Sequence, residues 1–173
     1  LEGFYEQTVP VIAERLQDSD SGVQERAVRA LGKAADRLSL MRNKPGFSED
    51  FFLLFLQKFN ELGAEPRAAI SKLLLALAPV PASVSGLLQK SAAQGADDLK
   101  EAALILNAGL FPDEAATLRI LSQALDDKAP GVRQTAAVAL GYLVKQKEKA
   151  LPLLMRALKR SGGLRDHEDQ AKT

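Results

Sequence analysis

Apolar residues along this chain recur at three- and four-residue steps, as in Val9, Ile12 and Leu16, or Val132, Ala136, Ala139, Leu140 and Leu143. That spacing lays one apolar stripe along a helix. Strict alternation, the mark of a half-buried strand, is missing. Breakers arrive at intervals: Pro45-Gly46, Gly63, Pro79 and Pro81, Gly95, Pro112, Pro130-Gly131 and Gly162-Gly163. The pattern between them predicts helices over about 3–17, 21–40, 49–62, 65–78, 82–94, 97–109, 113–126, 130–146 and 148–160. Ser48 precedes Glu49 and Asp50, which offers a cap oxygen and acidic side chains to a positive helix end. Pro130 suits a first helical turn, where no amide partner is lost. The connections are short, so consecutive helices should pack as antiparallel hairpins. The longest connection, 38–48, is the expected mobile loop.

The chain also repeats itself. Residues 17–32, "QDSDSGVQERAVRALG", return as "DDKAPGVRQTAAVALG" at 126–141, an offset of 109. Residues 9–16, "VPVIAERL", return as "LPLLMRAL" at 151–158, an offset of 142. Three units in the first offset and four in the second both give a period of about 36 residues, the length of one helical hairpin. Such hairpins cannot bury their apolar faces alone and stack into an array. The units fall at about 3–40, 49–78, 82–109 and 113–146, with a half unit at 148–160. Residues 1–160 are thus expected to form a single array, and 161–173 a polar tail or truncated repeat. Each phrase ends on a glycine inside a helical pattern, where glycine costs about 1 kcal/mol relative to alanine. With Ala27, Ala30, Ala136 and Ala139, Gly32 and Gly141 predict a thin mid-helix face that a neighbouring helix approaches closely.

At these residues the chain resembles the HEAT-repeat family. The family's pattern is a first-helix "P-x-I/L-x-x-x-L", then an aspartate, then "V-R-x-x-A-x-x-A-L-G" in a second helix. Residues 10–32 fit it, residues 118–141 fit it apart from the proline, and 151–158 fit the first helix again. The resemblance implies an all-α fold, a right-handed α-solenoid of stacked antiparallel hairpins whose second helices line the concave side. It also implies a polar ladder between repeats, with Asp18, Asp127 and Arg133 as candidates; Gln24 stands where the first unit's arginine is expected.

Composition narrows the function. No apolar run reaches the roughly 18 residues of a membrane helix. The absence of cysteine excludes disulfides and thiolate metal sites and fits a reducing, cytoplasmic setting. The first residue is Leu1, which suggests a piece of a larger protein. Net charge is +1, but residues 46–127 carry eleven acids against six bases, and 128–173 carry ten bases against four acids.

Catalytic chemistry is not legible. The one histidine, His167, precedes Glu168 in the polar tail and reads as solvated. One HEAT-like iron hydroxylase family uses that dipeptide several times, and a single copy does not build its two-metal site. No metal, cofactor or catalytic residue is expected. The carboxylate pairs Asp97-Asp98, Asp113-Glu114 and Asp126-Asp127 fall at helix starts or turns, where they complement helix dipoles or close turns. Binding surfaces are better candidates. Arg26, Arg29, Lys33 and Arg37 share one face of the second helix, with a solvated helix face as the plain alternative. Their equivalents in the fourth unit are Thr135, Val138, Tyr142 and Gln146, of which Val138 and Tyr142 offer an apolar contact point. A second basic cluster, Lys145, Lys147, Lys149, Arg156, Lys159, Arg160 and Arg165, lacks interleaved aromatics for base stacking.

The expected function is a non-catalytic scaffold that binds a protein or another domain of its parent chain. The alternatives are a module reading nucleic-acid backbone through the basic clusters, or a regulatory array attached to an enzyme domain. An incomplete terminal repeat also raises the expectation of a dimer, because Leu153, Leu154 and Leu158 would lack part of their cover.

Overall fold

The computed structural model describes residues 4–42, 46–143 and 147–160. Among them are nine α-helices and no strand: α1 (Phe4–Glu14), α2 (Ser21–Leu40), α3 (Glu49–Glu61), α4 (Ala64–Leu77), α5 (Ser83–Gln94), α6 (Asp97–Leu110), α7 (Ala115–Ala124), α8 (Pro130–Gly141) and α9 (Lys147–Arg160). A 3-10 turn over Arg15–Gln17 ends the first helix, in place of the continuous helix expected to 17. The fold is an all-α solenoid. Helices α1 and α2, α3 and α4, α5 and α6, and α7 and α8 pair as hairpins. The second helices α2, α4, α6 and α8 pack in sequence as one layer, and the first helices α1, α3, α5 and α7 pack in sequence as the other. All the substantial helix contacts join members of one hairpin or of adjacent hairpins. That pattern is an array and not a closed bundle.

Local chemistry explains the ends. Ser48 Oγ accepts from the Phe51 amide at 3.3 Å, and Asp20 Oδ1 accepts from the Gly22 and Val23 amides at 2.7 and 3.2 Å. Pro130 opens α8. The core runs between the two layers, with Leu16, Leu31, Phe55, Ile70, Leu88, Leu104, Leu121 and Leu140 almost fully covered. Each such side chain contributes about 1.5–3 kcal/mol of transfer free energy. In α3 the spacing of Phe51, Phe55 and Phe59 turns three rings inward, and Phe51 meets Phe55 with centroids 4.6 Å apart.

The expectation for the phrase-ending glycines is overturned. Gly32 lies mid-helix, but a Cβ there would meet nothing within 4 Å, and the same holds for Gly141. Gly141 is also the last residue of α8, with Tyr142 as its cap, so that helix stops short of the expected 146. The close approach occurs instead at Gly109, where Leu75 Cδ2 lies 2.5 Å from the position a Cβ would take. The expected loop 38–48 includes residues 43–45, and the expected tail is 161–173; both stretches fall outside the described residues.

Candidate functional site

The seams between hairpins repeat one design. Counted from the helix N-caps Asp20, Gly63, Ala96 and Ala129, the residues Gln24, Arg67, Lys100 and Arg133 share one register in the first turn of their helices. Arg67 is buried and donates to the Phe59 and Leu62 carbonyls at 3.0 and 2.5 Å, so the chain entering α4 folds back over its guanidinium. Its remaining nitrogen crosses the seam to Asp98 Oδ2 at 2.7 Å. Lys100 crosses the next seam to Asp127 Oδ2 at 2.9 Å. The hydrogen bond from Arg67 holds the Asp98 carboxyl below the usual carboxylate range. The Ala129 amide and then Lys100 do the same for Asp127, and Asp127 in turn raises Lys100 above the usual lysine value. These groups keep opposite charges at neutral pH, so each seam is held by a charge-assisted bond.

Of the sequence-derived ladder residues, Asp127 thus takes its partner across a seam. Arg133 turns to its own loop and donates to the Asp127 and Lys128 carbonyls, both at 2.9 Å. Asp18 also stays within its unit: its carboxylate meets Arg15 at 3.4 Å, and its carbonyl accepts from the Gln24 side chain at 2.6 Å. Both depart from the expected inter-repeat pairing. Asp98 and Asp127 each take their base from the preceding hairpin, and Asp18 lies in the first hairpin described, so its carboxylate turns to Arg15 instead; Gln24, at the basic register but uncharged, bonds to the nearby Asp18 carbonyl. Arg67, Asp98 and Lys100 went unread. Their signal was the register of Arg67 in "PRAAISKLLLAL" and of Lys100 in "LKEAALILNAG", both weak echoes in which the basic residue survives and the surrounding letters do not.

The first-helix layer adds links through serine hydroxyls. Ser91 Oγ donates to Asn60 Oδ1 at 2.8 Å between α5 and α3, and Ser85 Oγ donates to Glu114 Oε2 at 2.6 Å at the start of α7. The three expected carboxylate pairs do fall at helix starts and turns. Asp97 and Asp98 open α6, Glu114 is the N-cap of α7, and Asp127 closes a turn by accepting from the Ala129 amide at 2.9 Å.

Arg26, Arg29, Lys33 and Arg37 are all exposed on α2. Arg29 pairs with Glu25 at 3.2 Å, whereas among the described residues no carboxylate pairs with Arg26, Lys33 or Arg37. Lys33 and Arg37 line a groove of about 480 Å³ between α1 and α2, at the outer end of the stack. In register with Arg29 stand Lys72, Ile105 and Val138, all exposed, so one row runs down the second-helix layer from basic to apolar. Leu75 and Tyr142 flank its apolar part. Ile105, Val138 and Tyr142 are 44%, 49% and 67% exposed, against zero for the core leucine Leu104 beside Ile105. The structure therefore sets the basic stripe and the Val138–Tyr142 surface at opposite ends of one layer.

The second basic cluster is described only in part. Lys147, Lys149, Arg156 and Lys159 are exposed on α9, and Arg156 donates to Ser122 at 3.4 Å. The side chains of Lys145, Arg160 and Arg165 fall outside the description, as do Gln146 and His167. At this end Leu151, Met155 and Leu158 remain about half exposed beside a second groove of about 470 Å³ that also reaches Arg133 and Ala137. Among the described residues no group of three His, Cys, Asp or Glu side chains is placed to hold a metal ion, and no helix is long and apolar enough to cross a membrane.

Residues 84–167 match the family model for HEAT repeats. The match covers α5 to α9 and extends beyond Arg160 into the stretch where Gly163-Leu164-Arg165 echoes Gly131-Val132-Arg133. No curated protein matches the chain. Residues 84–167 thus belong to the HEAT-repeat family, and the hairpins before them continue the same two-layer stack.

Proposed function

We propose that the chain is a non-catalytic scaffold, part of a larger protein, that binds a protein partner or another domain of its own parent chain in the cytoplasm. The observation that carries this reading is the row Arg29, Lys72, Ile105, Val138 on the second-helix layer, with Tyr142 beside it. Large apolar side chains left open in register on neighbouring helices are the material of a binding surface. A row that is basic at one end and apolar at the other also fixes the direction of a bound segment, because only one orientation lets its acids exchange with Glu25 and Asp36 for Arg29 and Lys72.

The test is capture of partners by the immobilised chain, compared with Ile105→Asp/Val138→Asp and Arg29→Glu variants. The scaffold reading expects a discrete set of proteins that the apolar double variant loses and Arg29→Glu weakens. The second reading, contact with nucleic-acid backbone, draws on the exposed bases of α9. It expects binding in a filter assay that falls steeply between two salt concentrations and depends on Lys147 and Lys149. Capture that survives all of these changes would move the site elsewhere. Self-association through the open face of α8 and α9 is a further part of the proposal, and sedimentation at rising concentration tests it.

A further inference from the structure

The outer face of the first hairpin differs from every internal stacking face. Inner second helices meet the preceding unit at recurring registers. Asp98 meets Arg67, Lys72 meets Asp36 at 2.7 Å, Gly109 comes under Leu75, and a Cβ on Gly131 would strike the Glu101 side chain. Counted from its N-cap, α2 places Gly22, Arg29 and Lys33 at those registers, and Arg26 and Arg37 continue the same stripe. In register with Arg26 and Lys33, α4 has Ala69 and Ala76, and α6 has Ala102 and Gly109. At the same registers α8 has Thr135 and, as its cap, Tyr142; where α4 and α6 are thin enough to admit a neighbour, the first unit is basic. Stacking another hairpin there would take Lys33 and Arg37 out of water with no partner, which costs several kcal/mol per charge.

Under that basic rim the surface is nevertheless apolar. The groove between α1 and α2 is lined by Phe4, Val11, Ile12, Ala30 and Ala34, with Phe4 and Val11 more than half exposed. Lys33 and Arg37 stand along its α2 side, and among the described residues no carboxylate lines it. An open two-helix groove is the shape that accepts a third helix. A second copy of this chain fits poorly. The groove at the other end of the array reaches Arg133, and α9 beside it presents Arg156 and Lys159. Seating either end of a second copy in the groove between α1 and α2 therefore brings like charges together.

We propose that the groove between α1 and α2 docks an amphipathic helix whose apolar stripe is flanked by acidic residues. The apolar stripe covers Phe4, Val11 and Ile12, and the acids pair with Lys33 and Arg37. This surface is separate from the row on the second-helix layer, so either assignment can fail without the other.

The experiment titrates the chain into a fluorescent synthetic helical peptide whose apolar residues recur at three- and four-residue steps, flanked by glutamates. Two comparison peptides carry lysine or serine in place of glutamate. Saturable binding of the acidic peptide alone is expected. The double variant Lys33→Glu/Arg37→Glu should weaken it by about tenfold or more and admit the lysine peptide. Ala34→Phe, which fills the groove without changing charge, should block the acidic peptide with helicity retained. Because Lys33 and Arg37 are exposed, the charge variant remains decisive even if Ala34→Phe folds poorly. Three results would overturn the proposal: no binding of the acidic peptide, equal binding of all three peptides, or binding indifferent to the charge reversal. A sedimenting dimer of the wild-type chain that Ala34→Phe dissociates would also overturn it, by assigning the groove to a second copy.

Discussion

At the seam between α4 and α6, Gly109 comes under Leu75 and Asp98 takes the guanidinium of buried Arg67. In the first hairpin the register of Gly109 holds Lys33, and the turn that holds Arg67 in α4 holds Gln24. Helix geometry is the same in both regions, and only the residues on the contact stripe differ. The difference shows that stacking here is a property of side chains at a few registers and not of the hairpin as such. Small residues let two second helices approach, and one basic residue in the first turn of α4 and of α6 ties its hairpin to the next. Where the registers that meet a preceding hairpin hold exposed bases such as Arg29 and Lys33, stacking gives way to a surface of another kind.

The largest expected effect is at the internal seam. Arg67→Ala removes a cross-seam ion pair and two donors to the Phe59 and Leu62 carbonyls, and should destabilise by about 2–3 kcal/mol in chemical denaturation. Gln24→Ala, the same register in the first unit, should cost under about 1 kcal/mol, since it loses one neutral bond to the Asp18 carbonyl. Equal losses at the two positions would erase the distinction between the regions.

A middle-sized effect follows from the acids of the seams. Asp98 and Asp127 have folded-state pKa values below their unfolded ones. They therefore add stability that is fully present above the unfolded value near 4, and that is lost as pH falls through the lower folded values. Lys100 has the opposite sign: its raised value adds stability present below the ordinary lysine pKa and lost as pH climbs through the folded one. Asp127→Asn keeps an oxygen for the Ala129 amide but loses the charge facing Lys100, and should cost about 1 kcal/mol near neutral pH. Its melting temperature should fall less than wild type between pH 5 and pH 3; a parallel decline would mean that the Lys100 pair does not contribute.

The glycines give a smaller contrast. Gly32→Ala fills open space in the middle of α2 and should stabilise by about 0.5–1 kcal/mol through helix propensity. Gly95→Ala should destabilise, because its Cβ would stand 2.6 Å from the Ser91 carbonyl oxygen. A stabilised Gly95→Ala would show that the backbone there gives way more easily than the static packing implies. The smallest effect is expected at Arg29→Glu, which should change stability by no more than about 0.5 kcal/mol while altering binding.

The helices and their hairpin pairing were legible because the apolar period and the breakers act over a few residues. The repeat was legible because two phrases at different offsets agreed on one length. The role of the glycines was misread, since a residue's spacing reveals that Gly32 lies in a helix but not which way the neighbouring helix leans. The same limit hid Arg67 and Lys100. Their partners Asp98 and Asp127 lie about thirty residues downstream, and only the register of stacked helices joins them. The basic stripe was visible as a helix face, but its position at the end of the stack depends on α1 and on Ala30 and Ala34 opening a groove beside Lys33.

The central claim, a scaffold that engages a protein through its second-helix row, is tested most directly by site-specific photo-crosslinking in cells. A photoreactive side chain at Val138, on the row, is compared with one at Gln123, exposed on the first-helix layer of the same unit. The account predicts discrete crosslinked protein species from position 138 that are absent from position 123 and that disappear when Ile105 is changed to Asp. Crosslinks of equal yield from both positions, or from position 123 alone, would contradict it.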